Sequence, residues 1–338
     1  MYCIEERAGV RITPAFVKPR VLFLTDDREN YAQGGYHHAY QVGFQRQTNV
    51  TLRHPLEPLP APGSFDLVVL SHSAIGNFGR LRAKRFLPAR IRNRLWFRHA
   101  GLRALRRART PTVLFTMNDY KQFDIKNAFI SYVRPRLVIT HTQSALTLLR
   151  NAHGGTVTWM PFGVDDQRFT PPSDGAARPF DVGFRANDTS VYSAGQRKFF
   201  FQALTRLEGR RPVSLTLTKE GQGFLVGQPY VDWIRSCTLL GNTVSAAGTV
   251  GPRFLESMAC ASVPIAPRAP YEGFLVPDVH YVPVDAGADD TYSSLEAAVT
   301  RFFDEPAYQQ QLRDGGRALV RAHSVDQHVR QICQDLGV

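Results

Sequence analysis

The sequence predicts an α/β protein made of two doubly wound halves that face a cleft. Three observations predict it. Short, continuous Val/Ile/Leu/Phe runs recur along the chain, helix-like stretches separate most of them, and a Pro-rich segment, FTPPSDGAARP (169–179), interrupts the series before it starts again. Continuous apolar runs alternating with helices belong to parallel strands covered on both faces. A length of 338 residues is ample for two cores.

In order, VLFLTDD (21–27) reads as a buried strand ending in polar residues, AQGG (32–35) as a Gly turn, and a helix starts near Tyr36. Strands follow at FDLVVLSHS (65–73), PTVLFTMND (111–119), RLVITHT (136–142) and TVTWMPF (156–162). After the Pro-rich hinge come a strand at FDVGF (180–184), a helix at GQRKFFFQALTRLEG, a strand at PVSLTLT (212–218) and an irregular stretch over 219–250. A helix at 252–260 then runs into the strand VPIAP (263–267), and HYVPVD (280–285) is a last short strand. Residues 292–304, 306–322 and 325–336 read as helices. The expected division is a first domain over 1–165, a second over 166–322, and a helix at 323–338 that packs back on the first. Ligands in such sheets bind beyond the carboxyl ends of the strands, which places the site in the cleft.

Charge is unevenly distributed. Of 41 Lys and Arg, twelve lie within residues 80–109, which hold no acid, and the other 29 equal the 29 acids. The net charge of +12 therefore resides in one segment. Within it, Arg92, Arg94, Trp96 and Phe97 belong to a basic amphipathic helix with aromatics, a pattern suited to an anionic membrane surface or an anionic acceptor. A solvated Arg-rich helix without a partner is the plain alternative. No nucleic-acid motif accompanies the segment. No apolar run reaches the roughly 18 residues needed to span a bilayer, and MYCIEERAGVRITP has no apolar signal core. Four scattered cysteines without a CxxC pair read as reduced thiols. The expectation is a cytoplasmic protein, with peripheral contact to the inner face of the membrane through 80–109.

One stretch carries most of the chemistry. In SAAGTVGPRFLESMACASVPIAP (245–267), small residues precede a helix that opens on Pro252 and Arg253, and Glu256 lies one turn in. Small residues let a backbone approach a ligand, a helix start favours a phosphate, and a carboxylate one turn on can accept from a vicinal diol such as a ribose. An amphipathic helix with a solvent-facing Glu explains the same spacing equally well.

GPRFLESMACASVPIAPRAPYEGFL resembles the donor-site segment of GT-B glycosyltransferases of the group 1 and CgeB-like types. WMPFGVDDQRF (159–169) resembles their interdomain crossover, FDVGFRAN (180–187) the first strand of their donor domain, also similar to the exostosin-like pattern, and 306–332 their tail. The likeness spans about 160–335. It implies two Rossmann-like domains and transfer of a sugar from a nucleotide-diphosphate donor to a glycan, lipid-linked or other hydroxyl acceptor, without a metal. No cofactor is implied beyond the donor, and a UDP-sugar is favoured. By position, Glu256 would bind the ribose, Thr249, Gly251 and Arg253 the diphosphate, Arg185 a second phosphate contact, and Tyr271 and Glu272 the sugar or nucleotide. The chain departs from the retaining pattern at Gly248, where an earlier Glu is common, so the stereochemical course stays open.

An inverting transfer needs a base near the acceptor hydroxyl. Asp119, His38 and His37, in that order, are the candidates at strand ends of the first domain. No D-x-D triplet occurs. Two rivals stand beside the transferase: a nucleotide-sugar epimerase on the same scaffold, and a non-catalytic binding protein with a basic surface.

Overall fold

The computed structural model describes residues 18–26, 36–75, 100–117, 119, 123–173, 176–187, 194–218, 225–243, 248–285 and 291–338; for residues 36, 37, 187, 194–196 and 291 it describes the backbone alone. Two parallel sheets organise the chain. The first contains β1 (Arg20–Leu24), β2 (Asn49–Arg53), β3 (Leu67–Leu70), β4 (Thr112–Thr116), β5 (Leu137–Thr140) and β6 (Thr156–Trp159), in the order β2-β1-β3-β4-β5-β6. The second contains β7 (Phe180–Asn187), β8 (Val213–Thr218), β9 (Cys237–Gly241), β10 (Val263–Pro267) and β11 (Val282–Val284), in the order β11-β10-β9-β7-β8. Both are doubly wound, and in each the order reverses beside the first strand, between β1 and β3 and between β7 and β9. That switch point is where a crevice opens at the carboxyl ends.

Helices cover both faces because the strands are apolar on both: Val21 to Leu24 and Leu67 to Leu70 are fully buried. On one face of the first sheet lie α2 (Ala100–Arg107), α3 (Phe123–Val133) and α4 (Leu146–Ala152); on the other lie α1 (Tyr36–Gln47) and α10 (Val325–Leu336). The second sheet is covered by α5 (Ala194–Thr205) and α8 (Thr291–Asp304) on one side, by α6 (Gly227–Arg235) and α7 (Arg253–Ala259) on the other, and α9 (Pro306–Ala322) contributes to both cores.

The chain crosses between the lobes at 160–169 and again at 323–324. The crossings are bonded to each other: Val164 N–H donates to His323 O at 3.1 Å, and Val325 N–H to Val164 O at 2.9 Å. Helix α10 then returns to the first lobe. Val325, Val329, Ile332 and Leu336 are spaced four, three and four apart, and this stripe meets Phe23, Tyr40 and Phe44. Ser324 caps the helix by accepting from Gln327 N–H at 3.2 Å, and Gly337, at φ 70°, closes it. Gly163 is held between these parts: a Cβ there would lie 2.9 Å from His328 Nδ1 and 3.0 Å from Val325 Cγ1.

Two regions differ from the sequence expectation. β2 is an extra edge strand, NVTLR, half exposed and mostly polar, so no apolar run announces it. The stretch expected as irregular holds α6 and β9, and β9 is the central strand of the second sheet. A glycine and a proline in the first turn of α6 and the brevity of CTLLG conceal them.

Of the basic segment, residues 80–99, and with them Arg92, Arg94, Trp96 and Phe97, lie outside the described residues. The described part, α2, turns Gly101, Leu102 and Leu105 into the first lobe's core, and the Arg106 guanidinium sits 4.9 Å from the Tyr132 ring centre. That apolar stripe is therefore covered by protein. No helix among the described residues is long and apolar enough to cross a membrane.

Candidate active site

Arg185, Arg253 and Glu256, which the resemblance assigns to a donor, converge where α7 meets the carboxyl end of β7. Every residue of α7 from Phe254 to Ala259 is buried, Glu256 among them at 6% exposure, which removes the solvent-facing alternative. Glu256 Oε2 accepts from Tyr230 Oη at 2.9 Å. Arg253 Nε donates to the same hydroxyl at 3.3 Å, and Arg253 Nη1 donates to the Arg185 carbonyl. Burial pushes the Glu256 carboxyl up to about 7, against the opposing pull of the Tyr230 hydrogen bond and the Arg253 and Arg168 charges.

Arg185 lies near the carboxyl end of β7, within electrostatic reach of Arg253. Its Nη1 donates to Thr216 Oγ1 at 3.3 Å, while its Nε is buried with no hydrogen-bond partner among the described residues. Burial first, and then the Arg253 charge, hold this guanidinium below the usual arginine range. Two like charges side by side, one with a buried unmatched N–H, form a place prepared for an anion. The loop 248–251 runs beside them. Gly248 takes φ 71°, and a Cβ at Gly251 would meet nothing within 4 Å, so that side of the loop is open. Thr249 Oγ1 reaches Thr142 Oγ1 of the first lobe at 3.5 Å.

The next loop departs from what the resemblance implies. Tyr271 is 1% exposed; its hydroxyl donates to Pro267 O at 2.9 Å and its ring packs edge-on against Phe254 and Tyr281, so it is a core anchor and is not presented to a ligand. Glu272 crosses to the other lobe, where its Oε1 accepts from Gln143 N–H at 2.6 Å. Tyr271 and Glu272 take φ 40° and 57°, a left-handed pair without glycine, which costs about 1–3 kcal/mol per residue and persists because Tyr271 is fixed in the core.

On the first lobe, Asp119 lies beyond the end of β4 at 2% exposure. Its Oδ1 pairs with Lys126 Nζ at 2.9 Å, and its Oδ2 accepts from Thr140 Oγ1 at 2.5 Å and Thr116 Oγ1 at 2.8 Å. One oxygen is committed to a buried ion pair and the other to two threonine hydroxyls, which is a poor setting for a proton acceptor and a good one for tying β4, β5 and α3 together. His38, on the first turn of α1, is half-buried; burial and the Arg168 charge lower its pKa, with Asp165 opposing. A neutral imidazole is able to take a proton. The side chain of His37 lies outside the described residues.

Two residues were not singled out from sequence. Tyr230 holds Glu256. Arg168, on the crossover, acts electrostatically on both His38 and Glu256 and so lies between the two lobes' candidates. Its only sequence signal was membership of the crossover run. Among the described residues no group of three His, Cys, Asp or Glu side chains could hold a metal ion.

Residues 196–334 match the glycosyl transferase-like family. Among solved structures, HepE of Anabaena, in a complex with UDP and glucose, superposes with a TM-score of 0.56 at 12% identity, covering 94% of this chain and 99% of that one. The fold is that of the GT-B glycosyltransferases. Sucrose-phosphate synthase of Thermosynechococcus elongatus aligns at a TM-score of 0.53 and 11% identity, over 94% of this chain and 99% of its own. A glycosyltransferase of Rickettsia africae gives 0.56 at 10% identity, over 94% and 98%. No curated protein sequence matches the chain.

Proposed function

We propose that this GT-B protein transfers a sugar from a nucleoside-diphosphate donor to a hydroxyl acceptor. The observation that carries this is the juxtaposition of the Arg185 and Arg253 guanidiniums at the carboxyl end of β7, with the buried Glu256 carboxyl one turn along α7. The guanidiniums supply countercharge to a diphosphate in the ground state and more of it as the leaving group gains charge, so departure needs no metal. Glu256 accepts from the ribose diol. UDP is the favoured nucleotide, because HepE structures hold UDP, UDP and glucose, or UDP-glucose. His38 is the preferred base, since it is neutral and lies on the Arg168 side of the cleft, whereas Asp119 is held by Lys126. An epimerase would need several carboxylates around the sugar, and Glu272 is turned to Gln143. The acceptor is a glycan or lipid-linked hydroxyl compound with anionic character, drawn by the arginines of 80–109.

A thermal-shift panel of UDP, GDP, CDP, TDP and ADP with their sugar forms tests the donor site. A ligand at about 100 times its Kd stabilises by about 2.7 kcal/mol, an easily read shift. One nucleotide should stand out, and incubation with its sugar form should slowly release the free diphosphate. A flat panel on folded protein would overturn the assignment.

A further inference from the structure

We propose that Glu272 is a positioning residue that couples the donor loop to the first lobe, so that a nucleotide bound beside 248–253 is sensed at residues 143–145. This rests on the donor-site assignment above and departs from the direct ligand contact that the resemblance implies for Glu272.

The geometry is a seam of three contacts between the same few segments. Glu272 Oε1 accepts from the Gln143 backbone N–H at 2.6 Å, at the start of the short 3-10 turn (Gln143–Ala145) that leads into α4. The Val250 backbone N–H and the Trp159 indole N–H approach the same carboxylate without completing a hydrogen bond to it. Beside it, Thr249 Oγ1 meets Thr142 Oγ1 at 3.5 Å, and Phe274 meets Trp159 edge-on at 6.0 Å. Val250 and Thr249 belong to the loop 248–251 that leads into Arg253 at the start of α7, and Gln143, Thr142 and Trp159 belong to the first lobe. One carboxylate therefore touches the donor loop on one side and the first lobe on the other.

The loop that carries Glu272 is built to hold it there. Tyr271 is locked among Phe254 and Tyr281, and Phe254 is the first buried residue of α7, between Arg253 and Glu256. The left-handed backbone at Tyr271, Glu272 and Gly273 then directs Glu272 away from the second lobe's core and across the seam. A displacement of 249–251 by a diphosphate changes how closely the Val250 N–H approaches the carboxylate, and the Gln143 bond responds because the same carboxylate lies between the two amides. Such coupling requires a differential contact in the bound and free states, which a shared acceptor supplies.

The test uses the full chain, Glu272→Gln and Glu272→Gly, and the nucleoside diphosphate that gives the largest thermal shift. The Gly variant removes the carboxylate while suiting the left-handed backbone, so it keeps the fold. Amide hydrogen exchange is followed at 142–145 with and without nucleotide, beside the nucleotide Kd and donor turnover. In the native chain, saturating nucleotide should change protection at Gln143. In both variants this response should vanish, nucleotide Kd should stay within about threefold, and kcat should fall by about tenfold or more with KM for the donor little altered. A carboxylate that merely braced its loop would lower stability and leave the response intact. Nucleotide binding with no response at 142–145, or an equal response in the variants, overturns the coupling and leaves the donor site standing. Absence of any nucleotide binding removes the donor site and the coupling with it.

Discussion

Replacing Glu256 with Gln should change two properties of the protein in opposite directions, and pH should control both. The carboxyl sits at 6% exposure, and its pKa in the folded chain is about 7 against 4.5 for an unperturbed glutamate. The folded pKa is raised, so between these values the folded chain holds a proton that the unfolded chain has lost. This group's contribution is thus most favourable below about 4.5 and is progressively lost as pH rises to about 7, a change on the order of 3 kcal/mol. Gln lacks the ionisation and keeps an acceptor for Tyr230 Oη. The variant should therefore match the native stability near pH 5 and exceed it by about 1–3 kcal/mol at pH 8. Nucleotide binding runs the other way. In the proposed ribose role the native carboxylate makes charged hydrogen bonds at pH 8, and Gln should weaken binding by about 1–3 kcal/mol, roughly 5- to 150-fold. At pH 5.5 both side chains are neutral, and the affinities should converge to within about threefold. Calorimetric titration of the best-binding nucleoside diphosphate at both pH values gives the ratio of the two Kd values, in which titration of the phosphate itself cancels. A ratio that does not change with pH, or equal affinities at pH 8, would refute the ribose role of Glu256.

Other outcomes follow from the same contacts. Arg185→Ala and Arg253→Ala should each weaken a nucleoside diphosphate by about 1.5–3 kcal/mol while leaving the free nucleoside unchanged, and an equal loss for both ligands would show that the guanidiniums do not meet the phosphates. Asp119→Ala strands Lys126, which is 3% exposed, and should cost about 3–5 kcal/mol in denaturant unfolding; a loss below about 1 kcal/mol would mean that the carboxylate is not held as described. Gly163→Ala places a Cβ 2.9 Å from His328 Nδ1 and should destabilise by about 1–3 kcal/mol through the paired crossings, as read by urea unfolding.

The fold was legible where the physics is local and repetitive. Buried parallel strands must be apolar on both faces, so β1, β3, β4, β5, β7 and β10 announced themselves as runs, and 325–336 read as a helix. The elements that escaped are those whose place is set by neighbours. β2 lies at an edge and needs no apolar run, and β9, a five-residue strand, is central only because β7 and β10 flank it. The basic segment showed a related ambiguity. Leu102 and Leu105 of its described part pack into the first lobe's core, a placement that the expectation of a helix facing a membrane, an anionic acceptor or solvent did not include.

The candidate site divides in the same way. The sequence by itself determined that Arg253 and Glu256 share one helix turn and that Arg185 lies near a strand's carboxyl end, because both follow from spacing along a single element. Only the tertiary structure decided what each residue meets. Glu256 is buried under Tyr230, Arg185 is set against Arg253, and Asp119 is locked to Lys126. Neighbours in sequence parted as well: Tyr271 went to the core and Glu272 to the opposite lobe. Spacing fixes direction only within one helix or strand, whereas desolvation, ion pairing and contact across a cleft depend on elements that the chain brings together from far apart.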